Sequence, residues 1–268
     1  MSYRVEGATA HVTLARPDKL NGLTLDMLAQ LVEAAAEIRK NRDVRVVLLS
    51  GEGSSFSAGL DFPSAAKQPQ RIARYFLPVP SFAPLPGRGT NMFQRACWAW
   101  RELPVPVIAV ISGHCYGGGL QLALAADFRF AAPDSELSVL EAKWGMIPDM
   151  TGTATLSELV GIDTAKLLTM TGKVISGDEA AGIGLVTGVA DDPAVPALEL
   201  AQLLSKQSPD AVTAAKKLFN AAWSESPRAA FAAERRAQLR LLAGTNTKIA
   251  RKARMKGSEP EYRPRTLT

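Results

Sequence analysis

The stretch from Val105 to Ala126 constrains this chain most. An apolar, β-branched run, Val105 to Ile111, reads as a buried strand despite Pro106. It enters Ser112-Gly113-His114-Cys115-Tyr116-Gly117-Gly118-Gly119 and continues as a helix over Leu120 to Ala126. Glycine lets backbone approach a neighbour or a ligand closely. The first turn of a helix presents N–H groups without intrahelical partners, and its dipole favours negative charge. A strand–glycine–helix junction is therefore suited to holding an oxyanion. It is not a phosphate loop, because no Gly-Lys-Ser/Thr follows, and the G-x-G-x-x-G spacing of a dinucleotide fingerprint fails. The glycines alone leave a plain tight turn equally open.

Around this junction the chain reads as α/β. Thr9 to Leu14 alternates like a strand. Thr24 is placed to cap a helix running to Lys40, with Leu28, Leu31, Val32, Ala35 and Ile38 on one face. Val44 to Ser50 is a second strand, closed by the turn Gly51-Glu52-Gly53-Ser54-Ser55. Phe128 to Ala131 and Leu185 to Val189 are short strands, and Ser176-Gly177-Asp178-Glu179 has capping-box form. Ser208-Pro209 opens a helical tail whose last helix spans Asn246 to Met255. The division is drawn as a core of residues 1–193 and a helical region of 194–268. Phe62 to Gly89 is rich in proline, yet its phenylalanines and leucines are too apolar for a solvated linker. A segment of that length predicts a mobile wall of a binding pocket.

Composition excludes several classes. No apolar run is long enough to span a bilayer. Met1 to Ala10 lacks a basic region followed by an apolar one, so no secretory signal is expected and a cytoplasmic location is the default. Cys97 and Cys115 are too few for a disulfide framework or a zinc site. The net charge of +5 resides in Lys248 to Thr268, which holds seven basic and two acidic residues. Without a recognition motif, this reads as a solvated terminal helix that could also attract a polyanionic ligand, and no nucleic-acid partner is expected. His11, His114 and Cys115 read as structural, since neither histidine has an evident nucleophile beside it.

The run Ile108 to Gly119 resembles the central signature of the crotonase superfamily, the enoyl-CoA hydratase/isomerase family. Leu14-Ala15-Arg16-Pro17-Asp18-Lys19-Leu20-Asn21-Gly22-Leu23 resembles that family's opening motif, and Ser55-Phe56-Ser57-Ala58-Gly59-Leu60-Asp61 its "F.AG.D" element. Glu141 to Thr153 and Thr171 to Val186 fit downstream. The resemblance implies a spiral of ββα units with a helical C-terminal trimerisation region, and homotrimers or hexamers. It implies an acyl-CoA substrate, with coenzyme A arriving as part of that substrate and no separate cofactor or metal. It further implies an oxyanion hole made by the N–H groups of Leu60 and Gly118, and coenzyme A contacts near Arg16, Lys19, Ala58 and Asp61.

Family hydratases use two glutamates, and the matching positions here are Gln121 and Glu141. An amide can orient water but cannot take up and return a proton. Gln121 is therefore expected to face the pocket as a polar contact. Asp149 matches the position at which the family's dienoyl-CoA isomerases carry an aspartate across the acyl chain from the glutamate, although those enzymes also keep an acid where Gln121 stands. The expectation is double-bond isomerisation through an enolate, with Glu141 as base and Asp149 as its partner. The alternatives are a hydratase with Gln121 replacing one glutamate, and a non-catalytic acyl-CoA binder.

Overall fold

The computed structural model describes residues 1–76 and 89–268. Its larger sheet runs in the order β1 (Ser2–Glu6), β2 (Thr9–Leu14), β3 (Val46–Gly51), β4 (Val107–Ile111), β6 (Phe128–Ala131) and β9 (Gly188–Val189). Only β1 runs antiparallel to its neighbour; the other pairings are parallel. A smaller sheet joins β5 (His114–Tyr116), β7 (Glu136–Ser138) and β8 (Ile175–Ser176), and a lone bridge from Ser57 to Cys115 extends it.

The two sheets are stitched by a repeated move. A strand of the large sheet is followed by a short extended piece in the small one and then by helix. This happens from β3 through Ser57 to α2 (Phe62–Ala66), and from β4 through β5 to α5 (Gly118–Leu124). It happens again from β6 through β7 to a 3₁₀ turn at Leu140–Trp144. The ββα spiral expected from the sequence is thus visible in the connectivity.

Most expected elements form where the pattern puts them. Thr24 caps α1 (Leu25–Lys40), its hydroxyl accepting from the Met27 N–H at 3.1 Å. The apolar face of α1 buries Leu28, Leu31 and Ile38 completely. Such side chains contribute about 1.5–3 kcal/mol each. Residues 46–49 of β3 are buried on both faces, as a central parallel strand requires. The capping box at Ser176 and Glu179 is closed in both directions at the start of α8 (Gly177–Gly182).

One expected strand is shorter than read, and two segments form structure that the pattern did not show. The strand expected over Leu185 to Val189 is confined to Gly188–Val189. Ser2–Glu6 is an unanticipated strand, exposed along its length. The part of Phe62 to Gly89 that can be described is helical, forming α2 and α3 (Pro69–Phe76); its remaining prolines, from Pro78 to Pro86, lie outside the described residues. Helix α4 (Met92–Arg101) follows, then α6 (Gly152–Leu159) and α7 (Ile162–Thr171) beyond α5. Helix α9 (Ala194–Ser205) begins just past residue 193 and lies on the large sheet, burying Ala197 and Ala201 against Val46, Leu48 and Ile108. Helices α10 (Pro209–Ala222), α11 (Pro227–Ala243) and α12 (Thr245–Lys256) complete the chain. Helix α10 is tied to the core by Lys216, whose ammonium donates to Asp127 and to the Trp100 and Val105 carbonyls, whereas α11 buries no residue.

Candidate active site

The junction read from the sequence is built as expected. Gly117 has φ of +49°, a conformation open to glycine, and a Cβ there would lie 3.3 Å from Glu141 Oε1. Its N–H donates to the Ser138 carbonyl at 2.9 Å, which ties the start of α5 to β7. Immediately after β7, the 3₁₀ turn carries Glu141 in its first turn, and Gly145 ends that turn in a left-handed conformation. Glu141 is thereby delivered to the N-terminal end of α5.

A cavity of about 640 Å³ opens there. Glu141 and Asp149 are its acidic residues; Leu60 and Gly118 lie on it, with Phe62, Ile72, Phe76, Phe93, Met146 and Met150 making an apolar wall. Among the described residues, the N–H groups of Leu60 and Gly118 donate to no protein acceptor. Leu60 is held by the pairing of its neighbours with Leu23, at 2.7 and 2.9 Å. Gly118 is the first residue of α5, where an N–H has no partner in its own helix.

Glu141 is 8% exposed. Its Oε1 accepts from Gln121 Nε2 at 2.6 Å, while Oε2 is buried with no hydrogen-bond partner among the described residues. Burial raises its pKa and the charge of Asp149 adds to that, against hydrogen bonds from its own backbone N–H and from Gln121. Burial also raises the pKa of Asp149. Two carboxyls that resist ionisation on one apolar cavity are suited to exchanging protons.

Gln121 is not where the sequence reading puts it. It is 1% exposed and lines no part of the cavity. Its Oε1 accepts from the N–H groups of Met150 and Gly152 at 2.8 and 2.9 Å, so its amide is spent inside the protein. Arg16, Lys19, Ala58 and Asp61 also lie off the cavity lining. Arg16 pairs with Asp61 at 2.9 Å and also donates to the Gly22 carbonyl, and the Ala58 N–H donates to Leu20. Lys19 is exposed on the adjoining turn.

The histidines stand apart. His11 faces Glu6 across β1 and β2. His114 Nδ1 does find a hydroxyl, Ser55 Oγ at 2.9 Å, but Ser55 is 2% exposed and neither residue lines the cavity. Cys97 and Cys115 are fully buried, and burial pushes both thiols up. Sequence reasoning missed Phe93. The Asn91 and Gln94 capping box that starts its helix was the available signal, and Phe93 lies in the first turn after that cap.

Residues 4–259 match the enoyl-CoA hydratase/isomerase family. The chain is 34% identical to the short-chain-enoyl-CoA hydratase of Clostridium acetobutylicum over 218 residues, covering 80% of this chain and 78% of that protein. It is 33% identical to the carnitinyl-CoA dehydratase of Citrobacter koseri over 231 residues, 85% and 82% of the two chains. The crystal structure of an enoyl-CoA hydratase from Bacillus anthracis superposes with a TM-score of 0.87 at 29% identity, over 97% of this chain and 98% of that one. The chain belongs to the enoyl-CoA hydratase/isomerase family.

Proposed function

We propose that the protein moves a double bond along the acyl chain of a coenzyme A thioester, with Glu141 and Asp149 as its two proton-transfer groups. One carboxylate removes a proton from carbon, and the electron pair passes into the thioester as an enolate. The N–H groups of Leu60 and Gly118 donate to the enolate oxygen, where preorganised donors in a dry site have their greatest effect. The other carboxyl then returns a proton further along the chain, so no atom is gained or lost. Coenzyme A enters with the substrate, and no separate cofactor takes part.

The observation that carries this reading is that Glu141 and Asp149 share the cavity while the Gln121 amide lies off its lining, held between Glu141 and the Met150 N–H. We assign the working form as a homotrimer or hexamer in the cytoplasm. Exposed Phe219 on α10, Trp223 at its C-terminal end and Leu239 on α11 support an assembly through the tail, and light scattering on the purified protein tests it. Among the described residues, no helix is long and apolar enough to cross a membrane.

A second reading is water addition or removal, favoured by the hydratase and dehydratase names of the relatives. Asp149→Asn separates the two. Under isomerisation it lowers turnover of a dienoyl-CoA about 100-fold. Hydration of crotonyl-CoA at a high rate, unchanged by the substitution, supports the second reading and sinks the first.

A further inference from the structure

Gln121 stands where the family resemblance leads one to expect an acid, and its surroundings are specific. Its side-chain orientation is fixed by main-chain donors. Because Oε1 takes the N–H groups of Met150 and Gly152, Nε2 has to face Glu141. The loop is shaped for this. Thr151 lies between the two donors with φ of +82°, a left-handed conformation that a β-branched residue rarely adopts, and its hydroxyl is buried with no hydrogen-bond partner among the described residues. Gly152 is required for close approach, since a Cβ there would sit 2.8 Å from Gln121 Oε1. Asp149 precedes this loop by one residue.

We infer that Gln121 is a positioning residue: a buried amide clamp that fixes Glu141 and the Asp149 loop relative to each other, in a place where a second carboxyl would compete with Glu141 for a proton. The inference rests on the proton-transfer reading for its purpose, but on the hydrogen bonds above for its geometry. An amide donates to one carboxylate and accepts from two N–H groups at once. An ionised carboxyl at position 121 could still accept from Met150 and Gly152, but it would set an oxygen against Glu141 Oε1 with no proton between them. The pair would then have to share one. The unbonded Oε2 of Glu141 and the raised pKa values of both acids accord with a site kept short of competing donors.

The test is a carbon-13 titration of the carboxyl groups of Glu141 and Asp149 in the ligand-free protein, comparing the parent with Gln121→Met and Gln121→Glu. In Gln121→Met the Glu141 midpoint rises by about one pH unit, the usual worth of a lost hydrogen bond to the charged form, and the Asp149 midpoint moves as its loop is released. In Gln121→Glu, Glu141 titrates in two coupled steps with the introduced carboxyl. Unchanged midpoints for both acids in either variant overturn the clamp. If Gln121→Met does not fold, Gln121→Glu, which keeps both acceptor bonds, decides alone.

A kinetic arm separates clamp from scaffold. Gln121→Met lowers kcat while KM stays within about threefold, and Asp149→Asn then costs less in that background than in the parent. Fully additive losses overturn the coupling. If the parent turns over no acyl-CoA, the functional reading falls, and the titration still decides the clamp.

Discussion

Asp61 and Glu141 are carboxylates set at the start of short helical turns, the first off the cavity lining and the second on it, and the protein treats them oppositely. Asp61 is saturated. It caps α2 through the Ser64 N–H at 3.0 Å and pairs with Arg16 at 2.9 Å. Burial would raise its pKa, but the Ser64 N–H and the Arg16 guanidinium outweigh that and hold it below the ordinary range. Glu141 receives only neutral donors, its own backbone N–H and the Gln121 amide, has Asp149 rather than a cation as its charged neighbour, and is pushed up instead. A charged residue inside a recognisable motif can therefore be a bolt. The residue able to do chemistry is the one left short of partners.

The comparison can be broken by making the two sites alike. The largest effect is expected at Glu141. Glu141→Gln keeps the shape and the Gln121 contact but removes the base, so steady-state assays on acyl-CoA substrates should show kcat/KM falling by about 10³-fold or more, within the range of general acid–base catalysis. Asp61→Asn should do the reverse. It leaves the part-buried Arg16 without its counter-charge, and urea unfolding should record a loss of about 1–3 kcal/mol, with the pH profile of turnover unmoved.

The smallest effect concerns stability against pH. A carboxyl whose folded pKa is raised binds its proton more tightly folded than unfolded, so it costs stability once the pH rises through that folded pKa, and costs nothing below the unfolded value. Glu141→Gln should therefore unfold at higher urea than the parent at pH 7, by on the order of 1 kcal/mol, the scale of desolvating one buried polar group. The difference should vanish near pH 4, where both side chains are neutral.

The contrast also explains what could be read in advance. Strands β2, β3, β4 and β6, α1 and the junction at Gly117 follow from local pattern, and Glu141 from its place in an ordered set of motifs. The orientation of Gln121 was not legible, because it depends on a left-handed Thr151 thirty residues away that no propensity favours. The pairing of Arg16 with Asp61 joins positions forty-five residues apart, and Arg16 alone reads as a surface cation available to a phosphate. Strand β1 escaped notice because an exposed edge strand buries no alternate residues. Helices α2 and α3 carry in their first turns prolines that also mark loops, Pro63 and Pro69.

The central claim is that Glu141 exchanges a proton with the acyl chain, and isotope exchange measures that directly. Incubated with an acyl-CoA substrate in deuterium oxide and followed by mass spectrometry, the parent protein should wash deuterium into the acyl chain, and Glu141→Gln, folded and still binding the thioester, should not. Deuterium incorporation by Glu141→Gln at the parent rate would contradict the account.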